Sequence, residues 1–188
     1  MRALIFFFLC CGLTFAADTT NTYTTAANGD RTPSFGKIFQ YDDTGIVLVV
    51  TTSGTYQPWI TSEAGPGTGS TGGSTITTST GNPSTITIGA NGAGYYQVQW
   101  HAGISMEKNA QVECAIFKNG VEIDPTCNHV QSAEATKYNL AFIGSTLTAL
   151  EVGDVLDLRF DSSDDGDEIT LYHVSLSIFR IAVDIVAP

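Results

Sequence analysis

The densest set of groups able to do chemistry is the acidic loop from Asp161 to Glu168, DSSDDGDE. Asp161, Ser163, Asp165 and Gly166 stand at the first, third, fifth and sixth positions of a calcium-loop pattern, with Asp167 beside them. Hard oxygen ligands at that spacing suit Ca²⁺. The twelfth position, where a bidentate glutamate is needed, is Tyr172, and strands rather than helices flank the loop. A solvated hairpin tip, whose charges keep strand edges from pairing, is therefore the reading we favour over a calcium site.

His101 and His173 are the second candidate set. On neighbouring strands they would lie close, and three copies about an axis could hold a metal or respond to pH. Hydrogen bonding within an interface is the commoner role for such residues. His129 has no evident partner. For hydrolysis the chain offers no G-x-S-x-G elbow and no cysteine with an evident base. Asp164, Asp165 and Asp167 crowd one loop, which does not hold two carboxylates at the separations glycosidases use. Catalysis is not expected, and no cofactor other than calcium is suggested.

Cys114 and Cys127 lie in the part of the chain that would remain after export, where an oxidising compartment lets a disulfide persist. If the hairpin register continues past its turn, both thiols share a face, diagonally across the strand pair. The separation is then borderline for a bridge, and Pro125 can bend the strand out of register. A disulfide and two buried thiols both fit the sequence.

These groups are carried by strands. Leu156, Leu158 and Phe160 alternate with Val155, Asp157 and Arg159, the period-two pattern of a strand with one buried face. After the acidic loop, Tyr172, Val174, Leu176 and Ile178 alternate with Leu171, His173, Ser175, Ser177 and Phe179, so neither face is plainly a solvent face. In GYYQVQWHAGIS, Tyr96, Val98, Trp100, Ala102 and Ile104 share one side, while Tyr95, Gln97, Gln99, His101 and Gly103 share the other. Asn119-Gly120 between alternating runs signals a type I′ hairpin, because both residues accept positive φ. Further strands are expected near Lys37 to Tyr41, Ile46 to Thr51, Ser74 to Thr78, Ser84 to Ile88 and Tyr138 to Leu150, with a turn at Gly153 and Asp154. The Gly, Ser and Thr tract from Ser62 to Pro83 reads as a long surface loop. The one helix candidate, Val130 to Lys137, is short and polar.

At the amino end, Arg2 precedes the apolar run Ala3 to Phe15, and small residues Thr14 and Ala16 lie three and one before a cut. This is the order of a secretory signal peptide, and the run is too short to span a bilayer of roughly 30 Å as a helix. The expected organisation is a signal peptide over 1–16, a flexible leader over 17–34, one domain over 35–182 and a tail over 183–188. With the cut, no membrane span is expected. The net charge of −11 becomes 7 − 19 = −12 when Arg2 is removed, which repels phosphate backbones and disfavours nucleic acid.

In order and spacing, GYYQVQWHAGIS, AIFKNG, LTALEVGDVLDLRF and TLYHVSLSIFRI resemble the complement C1q and tumour necrosis factor family, most closely its bacterial, environmental and viral members. GKIFQYDD and VLVVTTSGTYQPW are similar to that family's first strands. The resemblance spans about Phe35 to Ile181, and a collagen-like stalk is missing. It implies an all-β, two-sheet jelly-roll sandwich of about ten antiparallel strands. It also implies a homotrimer packed through the outer face of one sheet, which acts by binding or structural display and not by catalysis. Tyr95, His101, Leu171, His173 and Phe179 are then the expected trimer-facing residues. The expected role is a secreted or surface-displayed structural or adhesive module for a protein or glycan ligand. A capsid decoration or fibre head of a virion is the alternative.

Overall fold

The computed structural model describes residues 35–60, 76–79, 83–90, 92–106, 110–124, 126–131 and 138–182. The expected signal peptide, leader and tail lie outside them. Eleven strands follow in chain order: β1 (Phe35–Val49), β2 (Gln57–Pro58), β3 (Ile76–Ser79), β4 (Thr85–Ile88), β5 (Gly94–Met106), β6 (Gln111–Lys118), β7 (Val121–Glu122), β8 (Asn128–Gln131), β9 (Tyr138–Leu150), β10 (Val155–Ser162) and β11 (Glu168–Ala182). No helix occurs among the described residues, and none is long and apolar enough to cross a membrane.

The strands form two antiparallel sheets. One has four strands in the order β1-β11-β5-β9; the other has seven, built on the path β3-β4-β10-β6-β7, with β2 beside β10 and β8 beside β6. Order along each sheet is far from order along the chain. That is the mark of a jelly roll, in which the chain passes repeatedly between two sheets.

The alternation read from the sequence places the core between the sheets. Tyr96, Val98, Trp100, Ala102 and Ile104 of β5 and Leu156, Leu158 and Phe160 of β10 are all buried, together with Val112, Cys114 and Ile116 of β6. Trp59 is fully enclosed, and its Nε1 donates to Gln40 Oε1 at 2.9 Å. Gln40 Nε2 in turn donates to the Leu171 carbonyl at 3.1 Å, so the one buried amide of β1 has both ends satisfied.

Turns follow the local chemistry. Asn119 and Gly120 take φ of 53° and 79°, the positive values a type I′ hairpin requires. Asn119 also ties that hairpin to the β9–β10 turn, donating to Asp154 Oδ1 at 2.7 Å and accepting from Val155 N at 2.8 Å.

Three expectations on strands change. The two strands expected near Lys37 and Ile46 are one, β1, with a register irregularity between Tyr41 and Ile46. There Asp42 Oδ1 accepts from Thr44 N, Thr44 Oγ1 and Gly45 N, and these bonds, the Thr44 hydroxyl first, lower its pKa. Val130, the first residue of the short polar segment that was the one helix candidate, lies in strand β8 opposite Val112. Finally, β11 carries a bulge between Leu171 and His173. The extra residue reverses the alternation, so Leu171 faces inward with Ile169, Val174 and Leu176. Leu171 is 1 % exposed in the core and is not a trimer-facing residue.

Candidate functional site

The face of interest is the outer side of the four-stranded sheet, and its side chains follow from register alone. Four cross-strand rows run over β1, β11, β5 and β9. The first is Phe35, Phe179, Gln97 and Leu147; the second is Lys37, Ser177, Gln99 and Ser145. The third is Phe39, Ser175, His101 and Ile143; the fourth is Tyr41, His173, Gly103 and Ala141.

Of the eleven large apolar side chains that stand exposed among the described residues, seven belong to this face: Tyr41, Val47, Val49, Tyr95, Ile143, Leu147 and Phe179. Ile143 is 74 % exposed. Isolated exposed apolar residues are ordinary, but a set gathered on one sheet face marks an interaction surface. Phe35 stacks on Phe179 with centroids 6.2 Å apart, and Tyr41 lies against His173 at 4.1 Å.

Four of the five residues expected at a trimer contact therefore share this face: Tyr95, His101, His173 and Phe179. His101 and His173 lie on neighbouring strands as diagonal neighbours, because His101 is opposite Ser175 and His173 is opposite Gly103. His173 Nδ1 is buried with no hydrogen-bond partner among the described residues. Two depressions break the face. One of about 380 Å³ is lined by Gly103, Ile104, Leu140, Tyr172 and His173. The larger, about 650 Å³, spans the second and third rows, from Lys37 across Ser177, Ser175, Gln99 and His101 to Ser145.

The acidic loop is a clamp. Asp165 Oδ1 accepts from Ser53 N at 2.6 Å, Asp167 Oδ2 accepts from Ser162 Oγ, and Ser163 Oγ accepts from Gln111 N at 3.2 Å. The backbone adds Ser163 N to Gln111 O at 2.9 Å and Gly166 N to Val50 O at 2.7 Å. Asp161 points away from that tip: it is buried on the outer side of β10, opposite Glu113, with Oδ1 unpartnered. Among the described residues no three His, Cys, Asp or Glu side chains gather as a metal site.

The two thiols are free and lie on different sides of their sheet, which overturns the shared face assumed for a bridge. The cause is Thr126. Its buried hydroxyl donates to Ile123 O at 2.6 Å and accepts from Ile116 N at 3.1 Å, filling the inward position. Asn128 then stands opposite Cys114, and Cys127 turns outward to Tyr56 and Glu113. Only Cys114 is buried.

That outward group was not visible in the sequence. Tyr56 Oη donates to Glu113 Oε2 at 2.9 Å and lies 3.3 Å from Cys127 Sγ. The Tyr56 ring leans on Phe117 at 5.1 Å, and Arg159 covers the other part of Phe117 at 4.2 Å while its Nε meets Asp157 at 2.6 Å. Burial, then the bonds to Cys127 and Glu113, push the Tyr56 phenol up. Cys127 is also raised, by burial first and then by the Glu113 and Glu122 charges, against the Tyr56 hydrogen bond that lowers it. A thiol held in its protonated form is a poor nucleophile near neutral pH. Tyr56 thus lies half-buried over Phe117 and Glu113 on the outer side of β6.

No family model matches the chain, and no curated protein matches it. Among solved structures, it is similar to the Eiger TNF of S. frugiperda, with a TM-score of 0.60 and 14 % identity over 84 % of this chain and 98 % of that chain. The likeness shows a tumour necrosis factor-like jelly-roll fold.

Proposed function

We propose that this chain, on its tumour necrosis factor-like fold, is a homotrimeric binding or display module that assembles through the outer face of the four-stranded sheet. The gathering of seven exposed apolar side chains on that face carries the reading. Four strands about 4.8 Å apart and a 15-residue β11 rising about 3.3 Å per residue give a face of roughly 900 Å². That area is comparable to the roughly 800 Å² each partner contributes to a stable interface. The family resemblance implies closure into a ring of three, which would remove the exposed face from water.

In this reading the module is non-catalytic and exported: the order Arg2, Ala3 to Phe15 and Ala16 supports a cleaved signal peptide. The loops at the ends of the sandwich would present themselves to a protein or glycan ligand. Bacterial, environmental or viral origin belongs to the same proposal, on the strength of the strand motifs. Light scattering on the secreted protein tests the assembly, and the expected mass is three times that of one chain. Amino-terminal sequencing of the same sample tests export. An amino terminus retained within a purified particle would instead favour the virion role.

A further inference from the structure

The second and third rows of the outer face contain a feature that apolar packing does not explain. Ser177, Ser175 and Ser145 are small, while Lys37 and Phe39 stand at one side and Ile143 at the other, so register alone sinks a polar trough between taller rims. This is the depression of about 650 Å³. Trp100 and Gly144 complete its lining, and Trp100, 4 % exposed, has an Nε1–H with no partner among the described residues.

Its charge is one-sided. The sixteen positions of the four rows include Lys37, His101 and His173 but no Asp or Glu, in a chain whose net charge is −11. Lys118 and Arg159 are paired with Asp154 and Asp157. Lys37 instead has its Nζ 5.2 Å from the Phe39 ring centroid, and no carboxylate shares its row. Burying an ammonium without a counter-charge is costly, and bringing three copies of it together compounds that cost.

We infer that the trough binds a small oxyanion, a carboxylate or phosphate group, which neutralises Lys37 and is enclosed when the subunits assemble. This rests on the assembly reading above. Lys37 supplies the charge, and the hydroxyls of Ser175, Ser177 and Ser145 with the Gln99 amide supply directional donors. A charge-assisted hydrogen bond of this kind is strong enough that removing the cation weakens affinity by about tenfold or more.

The test is sedimentation velocity of the full chain at pH 7 in chloride, inorganic phosphate or acetate at matched ionic strength, with Lys37→Met and Lys37→Arg as variants. Half-assembly is expected at about tenfold lower protein concentration in an oxyanion than in chloride. The phosphate and acetate arms distinguish the two ligand sources. Lys37→Arg keeps the response, whereas Lys37→Met assembles equally in all three salts because it no longer buries a charge. A wild-type trimer indifferent to the anion, or a response that survives in Lys37→Met, overturns the inference and leaves the assembly reading standing. Wild-type monomer in every salt overturns the assembly reading itself.

Discussion

The indole of Trp100 lies across Gly144 on the neighbouring strand, occupying the space a side chain at that position would need. A Cβ on Gly144 would fall 2.7 Å from Trp100 Cη2 and closer still to Cζ2 and Cε2. The pair joins the core to the trough floor, so the glycine is set by packing and not by a turn. Gly144→Ala forces the indole out of place at a cost of about 1–3 kcal/mol. Thermal unfolding should fall by several degrees, while the adjacent exposed change Ser145→Ala stays within about one degree. An unchanged melting temperature for Gly144→Ala would place the indole elsewhere.

Arg159 and Asp157 form a partly buried pair on the outer side of β10, with the guanidinium also on Phe117. Arg159→Ala leaves a carboxylate that is 3 % exposed without its cation and uncovers the ring. We expect a loss of about 2–4 kcal/mol in urea unfolding. Restoring neutrality with the double variant Arg159→Ala, Asp157→Asn should recover part of it, and a double variant no better than the single one would contradict the pairing.

The thiols predict an alkaline limit. Burial, with the Cys127 charge second, holds the Cys114 thiol well above its ordinary 9.0, and Cys127 is raised as well. A raised folded-state pKa means that stability is fully present below the unfolded value and is lost as pH rises past it, because only the unfolded chain then releases the proton. Unfolding midpoints should fall as pH climbs above about 9, and Cys114→Ala should flatten that slope. Alkylation mapped by mass spectrometry should mark Cys127 before Cys114, with Cys127 labelled slowly at neutral pH and faster in Glu113→Gln. Rapid labelling of Cys114 in the folded protein would contradict its burial.

The acidic loop predicts insensitivity to chelation. Asp165 and Asp167 already accept hydrogen bonds from Ser53 N and Ser162 Oγ, and Asp161 lies apart on β10. Melting curves in chelator and in millimolar calcium should coincide. A rise of several degrees with calcium would reassign the loop as an ion site.

The fold was legible wherever alternation and turn chemistry agree. The β5 pattern and the Asn119-Gly120 hairpin both place side chains on the faces they occupy. Two misplacements share one cause, a local backbone event that shifts parity. The bulge before His173 sends Leu171 inward, and the inward Thr126 hydroxyl sends Cys127 outward. Neither event has a sequence signal as clear as Asn-Gly. The trough was invisible for a different reason: Lys37, Ser177, Gln99 and Ser145 come from four strands far apart in the chain, and only register makes them a row.

Burial of the outer face of the four-stranded sheet between copies of this chain is what the proposed assembly requires. Ile143 is the most exposed large apolar residue on it, 74 % exposed, so Ile143→Glu leaves the subunit fold intact while placing a charge in the contact. Sedimentation equilibrium of wild type and Ile143→Glu at micromolar concentration is the most direct measurement. The expected result is a trimer for wild type and a folded monomer for the variant. A monomeric wild type, or a variant that stays trimeric, would contradict it.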